Sequence, residues 1–299
     1  MKRLALLLLC LLLLAGCSSQ KAAEEDSKLH ILATTYPVYL FTKTLTAGVD
    51  GVQVTQLINE SVACLHDYTL TVPDMKAIER ADLIIMNGAD LELFMEKALA
   101  QTDAATVDCS NGIDLLPAAG HEHHDHEEHH HHGHHDPHYW LTAEAAPTIL
   151  SNILMGLSAL DGAHAEEYRA NYSAAMDNLP SLSRNTAPLS CPYLITFHDG
   201  FQYFADDNGL TLLKSIEEEE GSAASAADIK EIVALIRQYD IPAIFTEKNG
   251  SDDTAKVIAR ETGVQVYSLD MIMSGNGQDI FAYFDAMNEN YATIREALS

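Results

Sequence analysis

An α/β fold of two pseudo-symmetric lobes, each a parallel sheet flanked by helices, with a long rigid helix joining them, is predicted by three observations. Short β-rich runs alternate with amphipathic stretches over residues 28–109, and the same alternation restarts at residue 192 and continues to the last helix. Between them, residues 161–184 are poor in glycine and read as a long helix, a stiff strut in place of a loose linker. Strand–helix alternation implies βαβ units and therefore parallel sheets. A length of 299 residues favours two domains over one.

Taken in order, residues 28–34 (KLHILAT) read as a strand and 36–46 as a helix with apolar positions at helical spacing. Gly48 and Gly51 punctuate the turn into a second, alternating strand over 52–58. Residues 73–81 suit a helix with Pro73 in its first turn, 82–86 a buried strand, 91–100 a helix and 106–109 a strand. Residues 139–160 are apolar at helical spacing, and 161–184 read as a long helix disturbed at Pro180. In the second half, 192–197, 210–216, 241–246 and 264–269 read as strands. Helices are expected over 200–208, 252–262 and 279–298, and Ser225 is the expected cap of a helix whose Ile229, Ile232, Val233 and Ile236 form one apolar stripe. The division that follows is a first lobe over 28–160, a linking helix over 161–187 and a second lobe over 188–299.

The chain opens with Lys2 and Arg3, an apolar run over 4–14, and then Leu-Ala-Gly-Cys ending at Cys17. A basic start, a short apolar core and small residues describe an export signal over 1–16, too short to span a membrane. The last four residues resemble the bacterial lipobox, which implies acylation of Cys17 and an exported protein anchored to the bacterial membrane on its extracytoplasmic side. Residues 17–27 are a polar tether, and the acid run Glu217 to Glu220 reads as a solvated turn. With 44 acidic against 17 basic side chains the formal net charge is −27, which excludes nucleic acid and anionic headgroups as partners and draws cations. Outside the cytosol Cys64 and Cys109 are a plausible disulfide; the alternative is that Cys64, Cys109 and Cys191 are all free and buried.

The tract over 121–138, HEHHDHEEHHHHGHHDPH, contains no apolar run and reads as a solvated loop. Its chemistry is metal capture, because neutral imidazole is a common ligand of zinc, copper and nickel and the flanking Glu127 and Glu128 add attraction for a cation. An expression tag would be a pure histidine run at a terminus; this tract is internal and mixed with acid. His121, His123, His124, His126, His129, His130, His131, His132, His134 and His135 form the expected collecting loop. An ordered site is expected where His66, His138, His198 and Asp270 lie just beyond strand ends or in the loops leading away from them, the edge at which open α/β sheets bind ligands. Two lie in each lobe, so closure of the interlobe cleft would assemble three imidazoles and a carboxylate, a set that suits Zn²⁺ better than magnesium or calcium. Glu247 is the rival fourth ligand, or an acceptor that orients a histidine N–H. Trp140 and Tyr68 are expected to pack near the site, while His30 and His164 read as structural.

These residues resemble the cluster A-I solute-binding proteins of metal ABC transporters, particularly the zinc-uptake type. The resemblance covers nearly the whole exported chain and rests on HDYTLTVPD with ADLIIMNGADLE downstream, the acidic loop ending in DPHYWL, FHDGFQYF, a later FTE, and SLD before the last helix. It implies two lobes on a rigid backbone helix, one metal between them, and delivery to a membrane permease. Its three histidines fall on His66, His138 and His198 and its variable acidic ligand on Asp270. Manganese-binding relatives commonly carry a carboxylate at the position of His198 and lack the long loop, so Zn²⁺ is implied ahead of Mn²⁺. Leu65 stands where some zinc relatives carry Glu, and Thr142 where an Asp is usual. The expected function is an extracytoplasmic zinc receptor, monomeric and not an enzyme. The alternatives are a metal-buffering or adhesin lipoprotein, or an exported zinc hydrolase, for which no HExxH is present.

Overall fold

Among the described residues, hydrophobicity sorts eight strands into central and edge positions, and the sheets follow that sorting. The computed structural model describes residues 28–58, 68–118, 134–182, 188–215 and 224–299. In the first lobe β1 (Leu29–Ala33), β2 (Val52–Gln56), β3 (Leu83–Met86) and β4 (Ala105–Asp108) form a parallel sheet in the order β2-β1-β3-β4. The central runs LHILA and LIIM bury Ile31, Leu32, Ala33, Leu83, Ile84 and Ile85, whereas VQVTQ at the edge alternates in burial. The second lobe repeats the plan with β5 (Tyr193–Thr196), β6 (Thr211–Ser215), β7 (Ala243–Glu247) and β8 (Gln265–Leu269) in the order β6-β5-β7-β8. Here YLIT and AIFTE are the buried centre and QVYSL an edge. The predicted α/β class and the repeated halves are therefore observed.

The helices of the first lobe are α1 (Tyr36–Leu45), α2 (Val72–Arg80) and the short α3 (Glu96–Leu99). Thr71 and Asp74 cap α2 reciprocally, with Pro73 in its first turn. The stretch expected as one helix over 139–160 is instead a 3₁₀ turn, Tyr139–Leu141, followed after a break by α4 (Ala146–Leu160), which carries Pro147 in its first turn. The expected linking helix is also shorter. A 3₁₀ turn, Gly162–His164, precedes α5 (Ala165–Asn178), and Pro180 lies in the closing 3₁₀ turn Leu179–Ser181. Asp161 explains the break, since its carboxylate holds both His164 Nδ1 and the Tyr168 hydroxyl at 2.7 Å. α5 lies along α1 and α4, and Asn171 Nδ2 donates to the carbonyls of Leu45 and Ala47 at 2.9 Å.

The second lobe adds α6 (Gln202–Asp207), α7 (Ala226–Tyr239), α8 (Asp253–Thr262) and α9 (Ile280–Leu298). Ser225 caps α7 as expected, in a reciprocal pair with Asp228. α9 does more than close its own lobe. It packs on α1, its Ile280 N–H donates to Thr44 Oγ1 at 2.7 Å, and Tyr283 stacks obliquely on Phe41 with ring centroids 5.0 Å apart. The strap leading into it crosses the first lobe, where Gly277 N–H donates to the Tyr36 hydroxyl at 2.8 Å and the Tyr39 hydroxyl donates to Gln278 Oε1 at 2.7 Å.

Cys109 and Cys191 are free and buried among the described residues, while Cys64, the other half of the expected disulfide, lies outside them. The Cys109 side chain lies within the core, where burial, with Glu92 and Asp108 adding, holds the thiol well above its ordinary range and keeps it unreactive. Several expectations lie outside the described residues: the signal and Cys17, Cys64, His66, the loop histidines His121 to His132, and the run Glu217 to Glu220.

At the crest between β1 and β3 sits one buried carboxylate. Glu92 accepts from the Thr34 hydroxyl at 2.6 Å and from the N–H groups of Asn87 and Gly88 at 2.7 and 2.9 Å. Burial pushes its carboxyl up to about 7, with Asp108 adding, against the opposing pull of those three donors. A carboxyl whose folded pKa is raised binds its proton more tightly in the folded state than in the unfolded one. Its contribution to stability is thus fully present below about 4.5 and lost as pH rises through about 7. In urea titrations of the metal-free protein, the wild type should lose on the order of 3 kcal/mol across this window relative to Glu92→Gln. Parallel profiles for the two proteins would assign the pH response to other groups.

Candidate metal centre

The second lobe supplies one imidazole through a fixed turn. His198 follows β5 in extended conformation, and its carbonyl accepts from the Thr196 hydroxyl at 2.7 Å. The ring is buried, and its Nδ1 lies 3.1 Å from Glu247 Oε1 at the end of the neighbouring strand β7. β5 and β7 flank the point at which the strand order reverses, the position where ligands gather in such sheets.

The first lobe supplies a second imidazole on a segment held from four sides. Asp136 N–H donates to the Leu116 carbonyl at 2.9 Å, and the Tyr203 hydroxyl donates to the Asp136 carbonyl at 2.9 Å. Asn87, whose N–H is held by Glu92, donates through Nδ2 to the Pro137 carbonyl at 3.1 Å and accepts the Tyr139 hydroxyl on its own carbonyl. Trp140 Nε1 donates to the Met271 carbonyl at 2.9 Å. His138, buried between these anchors, places Nδ1 2.7 Å from Asp136 Oδ1, which also accepts the His138 N–H at 2.9 Å.

The two rings meet edge to face at 87°, with their Nε2 atoms 3.4 Å apart. An ionised carboxylate only accepts, so each Nδ1 carries a proton, and in the neutral rings that a metal requires each Nε2 presents a lone pair. Two such lone pairs at this distance repel unless a proton or a metal ion is shared between them. Nitrogens bound about 2.0–2.1 Å from a tetrahedral zinc stand roughly 3.3–3.4 Å apart, which is the separation found here. The approach depends on Gly200: a Cβ there would lie 2.6 Å from Met271 Cε and 2.8 Å from the His138 ring. Burial lowers the affinity of His138 for a proton, but Asp136, Asp199 and Glu247 outweigh it and raise the pKa. The same negative field favours any cation at Nε2.

Asp270 follows β8 with its backbone clamped by Asn290, which accepts its N–H at 2.7 Å and donates to its carbonyl at 2.8 Å. Its Oδ1 accepts the Ile272 N–H at 2.7 Å and its Oδ2 lies 3.2 Å from Lys248 Nζ. Among the described residues no three His, Cys, Asp or Glu side chains form a complete metal-holding group. The described part is the His138–His198 pair, with Glu247 accepting from His198. At the foot of the histidine tract, His134 N–H donates to Asp90 Oδ2 at 3.0 Å and His135 Nδ1 lies 3.6 Å from the same oxygen. Trp140 is fully buried with its ring 5.2 Å from that of His138, as expected, while Tyr68 packs on Phe94 and donates to Asp74 in the α2 cap.

Residues 31–297 match the sequence model of the family described as zinc-uptake complex component A, periplasmic. The chain belongs to that family. It is 33% identical over 305 residues to the high-affinity zinc uptake system protein ZnuA of Bacillus subtilis, covering 97% of this chain and 95% of the relative. It is 31% identical to the zinc-binding lipoprotein AdcA of Streptococcus pneumoniae, covering 99% of this chain and 59% of that longer protein. Among solved structures, a manganese-bound periplasmic metal-binding protein variant from Candidatus Liberibacter asiaticus superposes with a TM-score of 0.74 at 23% identity, over 91% of this chain and all of the other. The nickel complex of FpvC from Pseudomonas aeruginosa does so with 0.74 at 24% identity, over 91% and 97% of the two chains. These structures establish the fold.

Within this family member, reading the residues alone missed Asp136, Asn87, Asp199, Gly200 and Lys248. Only Asp136 had a local signal, an acid two residues before a candidate ligand in Asp-Pro-His. Asp136→Asn replaces the charged acceptor that orients His138, and zinc affinity should fall about 10–100-fold with the fold retained. An unchanged dissociation constant in a chelator-competition titration would show that Asp136 does not position the ring.

Proposed function

We propose that the chain is an extracytoplasmic receptor that binds Zn²⁺ between its lobes and hands it to an ABC permease. The observation that carries this reading is the pair of Nε2 atoms 3.4 Å apart, each on a ring whose Nδ1 faces a carboxylate. The relatives' names supply the transport context: high-affinity zinc uptake for one, zinc-binding lipoprotein for another, and metal ABC transporter substrate-binding lipoprotein for a third. In this reading His66, His138, His198 and Asp270 are the ligands, and Glu247 is the acceptor that orients His198. Residues 28–160 and 188–299 are the two lobes, with 161–187 between them, and the protein acts as a monomer. Cys17 carries a lipid anchor once residues 1–16 are removed. Zinc is preferred to manganese because imidazole suits it better than it suits harder cations. The collecting loop raises local zinc at low supply and works less well in acid, where its imidazoles are protonated.

Titration of the full chain with zinc, manganese and nickel, repeated after deletion of residues 121–132, tests this reading. One tight zinc per chain should remain after the deletion, while weaker additional sites vanish. Loss of the tight site with the loop would make the protein a metal buffer, and a manganese affinity above that for zinc would overturn the choice of cargo.

A further inference from the structure

Lys248 is the first residue past β7, and its backbone N–H donates to the Leu269 carbonyl at 2.9 Å, which sets it beside the end of β8. From there its ammonium spans two carboxylates, 3.2 Å from Asp270 Oδ2 and 3.0 Å from Glu289 Oε2 on α9. The three groups differ in solvation. The Asp270 side chain is 16% exposed, that of Lys248 47% and that of Glu289 64%. Asp270 Oδ1 is committed to the Ile272 N–H at 2.7 Å, in a turn where Ile272 adopts φ +60°, a conformation that β-branched residues rarely take and that this hydrogen bond helps to hold. Oδ2 is therefore the oxygen available to a metal, and it is the one that the ammonium covers.

We propose that Lys248 sets the affinity of the metal site by acting as the resident cation on Asp270, displaced onto Glu289 when metal binds and returning when metal leaves. This rests on the reading of Asp270 as a ligand. An oxygen that donates to a divalent cation cannot keep an ammonium on the same side, because the two positive charges repel at that distance. Glu289 makes the displacement cheap, since the ammonium keeps one partner and moves toward solvent. The exchange works against binding, so the site is weaker than its ligands alone would make it, and release to a partner is correspondingly easier.

Zinc titrations of the full chain against a competing chelator test the proposal in Lys248→Met, Lys248→Arg, Asp270→Asn and the Lys248→Met/Asp270→Asn double variant. Removing the charge should tighten zinc binding by about three- to tenfold, the range set by a partly exposed ion pair together with repulsion of the incoming ion. Lys248→Arg, which keeps the charge, should bind zinc nearly as the wild type does, whereas a packing role for the methylene stem would predict no tightening in Lys248→Met, which keeps a stem of similar length. In the Asp270→Asn background the gain from Lys248→Met should vanish. If Asp270→Asn weakens zinc binding while Lys248→Met leaves it unchanged, Asp270 stands as a ligand and the role of Lys248 is overturned. If Asp270→Asn binds zinc like the wild type, the ligand reading fails, and the exchange with it. An equal gain from Lys248→Met with and without Asp270 would reduce the lysine to a distant charge and also overturn the proposal.

Discussion

Replacing His198 with alanine is expected to weaken zinc binding by at least about a hundredfold, more than the loss of an outer partner such as Asp136, because it removes a donor atom and not only its orientation. The expectation follows from the Nε2 separation of 3.4 Å, which leaves room for a tetrahedral ion and little else. The truncation also strips Glu247 of the imidazole 3.1 Å away and opens a buried space, so apparent affinity must be read alongside the melting temperature of the metal-free protein. Chelator competition on folded variant is the decisive measurement. A dissociation constant within about threefold of wild type, in a variant that melts normally, would remove His198 from the ligand set.

Trp140→Ala should be the most damaging single substitution for stability, at about 3–5 kcal/mol. The indole is fully buried in the 3₁₀ turn Tyr139–Leu141, where the His138 ring packs on it. Its Nε1 donates to the Met271 carbonyl at 2.9 Å, and its own carbonyl accepts the Tyr283 hydroxyl at 2.8 Å, so one residue joins the His138 segment to the strap after β8 and to α9. Alanine leaves a large cavity and a buried Met271 carbonyl without its donor. As the chain has one tryptophan, unfolding in urea should be followed by far-ultraviolet circular dichroism and not by indole fluorescence. Trp140→Phe, which keeps most of the ring and loses the N–H, should cost about 1–3 kcal/mol. A loss below about 1 kcal/mol for the alanine variant would mean that the seam is held elsewhere, with the strap contacts of Tyr36 and Tyr39 the next to test.

The amino-acid sequence by itself determined the α/β class, the repeat of the strand pattern and the division of strands into buried centre and polar edge. These are local properties: a strand covered on both faces is apolar along its buried length, as LIIM and the AIF of AIFTE are. It also pointed to His198, just past β5, and to His138, the last histidine of the acidic tract, because both are short-range patterns, and to Ser225 as a cap. Tertiary structure alone decided the rest. Whether Asp270 and Glu247 act on a metal, on a ring nitrogen or on a lysine depends on which side chains other strands bring alongside, and no spacing along the chain encodes those distances. Asn87 holds the carbonyl of Pro137 from 50 positions away, and α9 crosses to α1 over more than 200. The breaks within 139–160 and 161–184 escaped periodicity for a related reason. The apolar rhythm continues through them, while a 3₁₀ turn fastened by Trp140 and a carboxylate at Asp161 bonded to His164 and Tyr168 are what interrupt the helices.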